Sequence, residues 1–253
     1  MHKTKWTFLL ALLFFYALTP AFSTPLTLYT EEYPPYNYTQ DDALTGVSTE
    51  VVKRVMELAG EDYSIKSYPW ARSYVSAQSG PGNLIYSINR IEKREKLFKW
   101  IGEIAPNTTS VYALKTRTDI QANSLDDIQK FAIVTTFRDA KEMYLISKGF
   151  NKLKFARLSG KDTNLRAYKL LKDGTVDVWP MTDAVAYHIA RQNGDDPDQV
   201  FRKVIPVAEV STKGYYIAAS LDTPDELVAH ISTTLEKFKT TEEYKAILKR
   251  WGL

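Results

Sequence analysis

"YSINRIEKREKLFKW", residues 86–100, begins as the end of a buried strand and turns at once into dense charge. Ser87 and Asn89 alternate around Ile88; Arg90, Glu92, Lys93, Arg94, Glu95 and Lys96 follow. Such a strand end is either a solvated turn or the lip of a site, with an arginine, Arg90 or Arg94, as its anchor. What surrounds it decides which. "NLIYSI" (83–88) is the third short apolar strand in a chain where strands alternate with helical patterns. That alternation predicts an α/β fold with a largely parallel sheet.

Before it come "LTLYT" (26–30), a strand, and a helix with Val51, Val52, Val55, Met56 and Ala59 on one face. Ser48 is the expected cap of that helix and Gly60 its stop. "YSIKSYP" (63–69) reads as a strand, and "WARSYVSAQSG" (70–80) as a helix stopped by Gly80-Pro81-Gly82. After it the pattern restarts. "VYALKTR" (111–117) is extended, "SLDDIQ" (124–129) a short helix, and "FAIVTT" (131–136) a strand leading into a helix through Lys148. "KLKFARL" (152–158) is a strand; "TNLRAYKLLKDG" (163–174) is a helix capped by Thr163 with Gly174 past its end. "VDVWPM" (176–181) is a buried strand with Trp179 in the core, and "TDAVAYHIARQNG" (182–194) a helix. "GYYIAAS" (214–220) is extended, and two helices close the chain behind capping boxes, Thr223–Glu226 and Thr240–Glu243.

The first unit puts three unusual stretches at the carboxyl ends of successive strands, the edge where open α/β sheets bind ligands. "EEYPPYNY" (31–38) presents Tyr33, Tyr36 and Tyr38 on a proline-stiffened loop. "YPWAR" (68–72) places Trp70 at a helix start, and "YSINRIEKRE" is the third. Aromatics would form walls, Ser87 and Asn89 would give hydrogen bonds, and an arginine fork would clamp a carboxylate.

Other chemistry is poorly supported. The spacings of phosphate-cradling glycines, H-E-x-x-H and G-x-S-x-G are missing. His188 and His230 read as packed or surface residues, and no metal site or cofactor is expected. The absence of cysteine excludes disulfides, thiolate nucleophiles and a lipid-modified cysteine. "MHKTKW", "TFLLALLFFYAL" and "TPAFS" have the layout of a secretory signal peptide cleaved after Ser23. Removing Lys3 and Lys5 with it leaves 31 basic against 30 acidic residues, which gives no reason to expect nucleic acid as a partner.

The order of motifs resembles the periplasmic solute-binding proteins of the polar amino-acid ABC transporter type, bacterial extracellular solute-binding protein family 3, over essentially all of residues 24–253. "EEYPPYNY" comes first. Then come S-x-N with "IEKREKLFKW", "SLDDIQKFAIVTT", "LKDGTVDVWPMTD", and "YKAILKRWG" at the end. The resemblance implies the type II periplasmic binding protein fold: two Rossmann-like α/β lobes joined by two hinge strands. Lobe one would be residues 24–105 plus 215–253 and lobe two residues 109–212, with hinges near "IAPNT" and "VSTKG". It implies that Arg94 holds a ligand carboxylate, with Ser87 and Asn89 beside it. From lobe two, the helix start at Arg138-Asp139-Ala140 would offer N–H groups to a carboxylate, and Asp139 would also cap that helix.

Two departures broaden the expected ligand. Thr182 stands where the family commonly has the aspartate that grips an α-amino group, with Asp183 one residue later as substitute or as cap. "AIVTTFRD" lacks the family's Gly-Thr-Thr turn. The resemblance therefore implies a periplasmic, monomeric receptor for a small carboxylate-bearing solute, an amino acid or a relative. It would serve an ABC permease or a membrane sensor without catalysis. The alternative is an enzyme on the same fold, similar to cyclohexadienyl dehydratases, with Glu31, Glu32 or Asp183 as acid or base.

Overall fold

A computed structural model describes residues 25–151, 154–211 and 213–253, without the side chain of Ser211. The expected signal peptide, Lys152 and Leu153 of the expected "KLKFARL" strand, and Thr212 of the expected second hinge lie outside the described residues.

The first sheet contains β1 (Leu26–Thr30), β4 (Tyr63–Ser67) and β5 (Asn83–Asn89), with β2 (Tyr38–Gln40) and β3 (Ala43–Thr45) forming a small ribbon between β1 and β4 in sequence. Its other strands are β6 (Lys99–Ala105) and β12 (Tyr215–Ala219), in the order β4-β1-β5-β12-β6. Helices α1 (Val47–Ala59) and α2 (Trp70–Ser76) join the parallel strands, and α8 (Asp225–Lys239) and α9 (Glu242–Arg250) close the chain. Lobe two holds β7 (Thr109–Leu114), β8 (Ile133–Thr136), β9 (Phe155–Leu158), β10 (Trp179–Thr182) and β11 (Phe201–Pro206). Around them pack α3 (Ala140–Ser147), α4 (Thr163–Lys172), α5 (Asp183–Gln192), α6 (Pro197–Val200) and α7 (Ala208–Ser211).

The expectation of a largely parallel sheet holds only for β4-β1-β5 and β8-β9. β12 runs antiparallel to both β5 and β6, and β10-β7-β11 is antiparallel throughout. Crossing from one lobe to the other and back reverses the chain, so the returning β12 enters the first sheet against its direction. The mixed strands β6 and β11 carry too few consecutive apolar residues to stand out by periodicity. A single buried apolar cluster runs from Leu28 and Val55 through Tyr33 and Tyr215 to Met181 and Trp179, so the two lobes share core at their meeting line.

Four expected caps are placed differently. α1 is capped at Gly46, not at Ser48, because its first N–H groups dock on the proline loop. Val47 donates to the Pro35 carbonyl at 3.0 Å, and Ser48 and Thr49 donate to that of Tyr36 at 2.9 and 3.3 Å. The loop thus satisfies donors that a helix start otherwise leaves orphaned. α4 starts at Thr163 with Asp162 before it, and α8 starts after Pro224. The Thr223 hydroxyl instead receives the Gly82 N–H at 3.2 Å. At α9 the cap is Thr241, which accepts from the Tyr244 N–H at 3.3 Å.

Gly46 has φ +107°, and a Cβ there would overlap the Tyr36 carbonyl and stand 2.7 Å from that of Pro35. Gly46→Ala is expected to cost about 2 kcal/mol or more, through backbone strain plus overpacking. Urea unfolding measures this; a loss below about 0.5 kcal/mol would show that the proline loop is not tied to α1 as described.

Candidate functional site

β1 and β5 deliver their carboxyl ends to the line between the lobes, and lobe two faces them with the β8–α3 turn. Arg94 follows β5 on a single 3-10 turn, Glu92–Arg94, and is fully buried although it sits in a run of charge. Its guanidinium lies 5.1 Å from the Trp70 ring centre and 5.0 Å from that of Tyr74. One Nη donates to the Asn89 carbonyl at 3.2 Å and the other to the Arg138 carbonyl, in the opposite lobe, at 2.9 Å. Its Nε has no partner, and no carboxylate of the described residues lies within 4.0 Å of it. A cation so placed is solvated by carbonyls and ring faces but not neutralised. Burial pulls its pKa down from the usual arginine range, against the pull of Tyr74 and Asp139.

The opening alternatives are thus divided between the two arginines. Arg90 is a surface residue: its Nε bonds both Glu95 oxygens at 3.1 and 3.0 Å, and its guanidinium lies over Trp100 and Tyr216. Arg94 is the one turned into the cleft.

Ser87 stands at φ +59°, where the register of β5 against β12 slips, and its buried hydroxyl has no partner among the described residues. Bulges of this kind re-aim side chains at sites. Asn89 bridges the lobes, its amide donating to the Val210 carbonyl at 2.9 Å. Trp70 does the same, its indole N–H donating to the Arg138 carbonyl at 2.8 Å.

Arg138 serves the site through its main chain; its side chain is exposed and leans on Phe137. The turn stands at φ +64°, and its N–H donates to Glu142 Oε2 at 2.7 Å, while Glu142 is itself paired with Arg157. That pinning aims the carbonyl at Trp70 and Arg94. Asp139 caps α3 as expected, Oδ1 accepting from the Lys141 N–H at 2.7 Å.

Lys141 has no precedent in the sequence reading. Its ammonium is buried, 3.0 Å from Asp139 Oδ2 and 3.3 Å from the Tyr33 hydroxyl across the cleft. Burial pulls its pKa down, but Asp139, Tyr215 and Glu31 outweigh it and the net direction is up. Nothing local marks this lysine: "AKEMY" is an ordinary helix start, and only the meeting of α3 with the Tyr33 loop buries it.

Tyr33 also donates to the Thr182 hydroxyl at 2.8 Å, and the Tyr215 hydroxyl lies 2.6 Å from Thr182 and 3.0 Å from Tyr33. Tyr36 is not a wall residue. It is wholly buried, stacks edge-on to Tyr215 at 4.6 Å, and donates to the Pro106 carbonyl at 3.0 Å. Tyr38 lies off the cleft, against His188 and Trp251.

Asp183 neither enters the cleft nor caps α5. Its carboxylate accepts from Thr108 at 2.9 Å, Tyr112 at 2.7 Å and Lys203 at 2.6 Å, at the first crossing of the lobes. Burial raises its pKa, but these donors outweigh it and hold it below the usual range. As the first residue of α5 it faces away from the strand end that Thr182 terminates.

Glu31 ends β1. It lines a cavity of about 400 Å³ with Tyr68, Pro69, Gly160 and Thr163. A larger cavity, about 630 Å³, runs beside Tyr38 and His188 and reaches none of the buried charges. Glu31 keeps some exposed surface in its cavity but lies deep among protein atoms. Burial, then Asp139, push its pKa up to about 8, with Lys141 and Arg94 opposing. The folded form therefore holds a proton that the unfolded chain releases near pH 4.5. Stability from this group is full below that value and is lost as pH rises through about 8. Glu31→Gln should flatten the fall in melting temperature between pH 5 and 8. An unchanged pH profile in the variant would show that Glu31 is ionised in the fold.

Among the described residues no group of histidine, cysteine, aspartate and glutamate has a metal-binding arrangement, and no helix is long and apolar enough to cross a membrane.

Two interleaved α/β lobes, crossed twice by the chain and meeting on buried opposite charges, define a type II periplasmic binding protein fold. The chain belongs to the bacterial extracellular solute-binding proteins, family 3, whose model matches residues 26–253. Solved structures agree in fold. A histidine kinase sensor domain with similarity to periplasmic binding proteins matches with TM-score 0.78 at 20% identity, covering 90% of this chain and 95% of that one. An ancestral arginine-binding protein bound to arginine matches with TM-score 0.75 at 22% identity, covering 90% and 97%. The arginine-, lysine-, histidine-binding protein ArtJ of Geobacillus stearothermophilus matches with TM-score 0.74 at 17% identity, covering 90% and 95%. No curated protein matches the chain.

Proposed function

We propose that this protein is a periplasmic receptor that captures a small carboxylate-bearing solute, an amino acid or a related acid, between its lobes. Residues 24–105 with 215–253 form one jaw and 109–212 the other. A membrane permease or a membrane sensor reads the closed form, the chain acts as a monomer, and no cofactor or catalysis is involved. The observation that carries this reading is Arg94: a buried cation against two adjacent aromatic rings, at the line where the lobes meet, with no carboxylate partner among the described residues. An anionic solute supplies the missing charge, and hinge closure around it encloses the pair.

The experiment is a thermal-shift screen against amino acids, small carboxylates and prephenate-like compounds. A ligand at a hundredfold excess over its dissociation constant stabilises the fold by about 2.7 kcal/mol. No shift with any of them sinks the reading. Glu31 favours a second reading, a dehydratase-like lyase, because a cleft carboxyl with a pKa of about 8 suits a general acid. Turnover of a prephenate-like compound, lost in Glu31→Gln, would select it.

A further inference from the structure

Resting on the receptor reading, we infer that the solute is a small monocarboxylate whose neighbouring substituent is neutral, a 2-hydroxy or 2-oxo acid and not a 2-amino acid. Lys141 already occupies the anionic anchor that a solute ammonium would need. Each Asp139 oxygen already holds a donor, one the Lys141 N–H at the α3 cap and one the Lys141 ammonium at 3.0 Å. The Asp183 carboxylate is spent on Thr108, Tyr112 and Lys203, away from the cleft. The Thr182 hydroxyl is held between Tyr33 and Tyr215.

Donors are among the unspent groups. Arg94 Nε and the Ser87 hydroxyl are buried without partners among the described residues. An ammonium carries three N–H donors, and Lys141 uses two, on Asp139 and Tyr33. With the Glu31 carboxyl counted as protonated, the charge balance agrees: Arg94 and Lys141 against Asp139 leave one positive charge, which one carboxylate neutralises. A solute ammonium would add a third cation. It would meet neutral acceptors, among them the Ser87 hydroxyl and the Asn37 amide oxygen, and Glu31, a carboxyl held protonated until about pH 8. A hydroxyl or oxo group in that place meets donors it can satisfy at no charge cost.

The test is titration calorimetry at pH 7 with matched trios that share a side chain: alanine, lactate and pyruvate; leucine and its 2-hydroxy and 2-oxo analogues; phenylalanine, phenyllactate and phenylpyruvate. In at least one trio the hydroxy or oxo acid should bind at least tenfold more tightly than the amino acid. Lys141→Met frees Asp139 and should shift the preference at least tenfold toward the amino acid. Should that variant not fold, Lys141→Met with Asp139→Asn keeps the charge balance; it should lose the preference without gaining the amino acid. An amino acid that binds more tightly than both of its analogues overturns this inference and leaves the receptor reading standing. No binding by any trio, together with no hit in the thermal-shift screen, overturns both.

Discussion

Arg94→Ala should weaken solute binding by a factor of about 100 to 1,000, the 3–4 kcal/mol expected when one partner of a buried, hydrogen-bonded charge pair is removed. The reason is specific to its surroundings. Arg94 is desolvated, faces no carboxylate among the described residues, and holds carbonyls of both lobes at once, Asn89 and Arg138. Its alanine variant loses the charge that the solute answers and one of the ties that sets the closed geometry. The fold itself should suffer less than binding does. Two carbonyls lose a donor, but a costly unpaired cation is also removed. Arg94→Lys restores charge without the planar fork and should recover only part of the affinity. Calorimetry on the three proteins with the solute found in the thermal-shift screen decides it. Wild-type affinity in Arg94→Ala would end the clamp assignment.

Trp179→Ala should unfold the protein more easily by about 3–5 kcal/mol, the usual cost of emptying an aromatic core position. Against a typical total of about 5–15 kcal/mol, that is about a fifth of the stability or more. Trp179 is almost wholly buried in β10, opposite Tyr112 on β7, with Tyr168 at 6.5 Å and Phe201 at 6.3 Å between ring centres. These rings hold β10 against α4 and β11. The same strand ends at Thr182, so slack in β10 also loosens the Tyr33–Thr182–Tyr215 contact between the lobes. Urea unfolding measures the stability loss and calorimetry the accompanying fall in affinity. A loss under 1 kcal/mol would mean that lobe two does not depend on this core.

Much of the cleft could be read along the chain, and the exceptions share a cause. Trp70, Ser87, Asn89 and Arg94 follow from their strand ends, because the carboxyl edge of a parallel sheet is set by strand order and loop position. Tyr33 was expected as a wall, and its ring does lie in the cleft, but its hydroxyl is taken up by Thr182 and Tyr215. Asp139 was expected as a cap and is one; its pairing with Lys141 was not foreseen. Asp183 was expected at a ligand amino group or as a cap and is instead tied to the crossing by Lys203, twenty residues away. Arg138 was expected through its helix-start N–H; the group that reaches across the cleft is its carbonyl.

By itself the sequence determined the alternation of strands and helices, the stiff aromatic loop after β1, the arginine after β5 and the family order of motifs. The first three depend on residues within one or two turns of each other, and local periodicity and backbone stereochemistry act over that range. Tertiary structure alone decided that β12 returns antiparallel, that Gly46 caps α1 on a carbonyl loop, and that Lys141 is the second cation of the cleft. Lys141 meets Tyr33 across 108 residues of chain. Which charges are stripped of water together is settled only when two lobes close on one line, and no window along the chain contains that line.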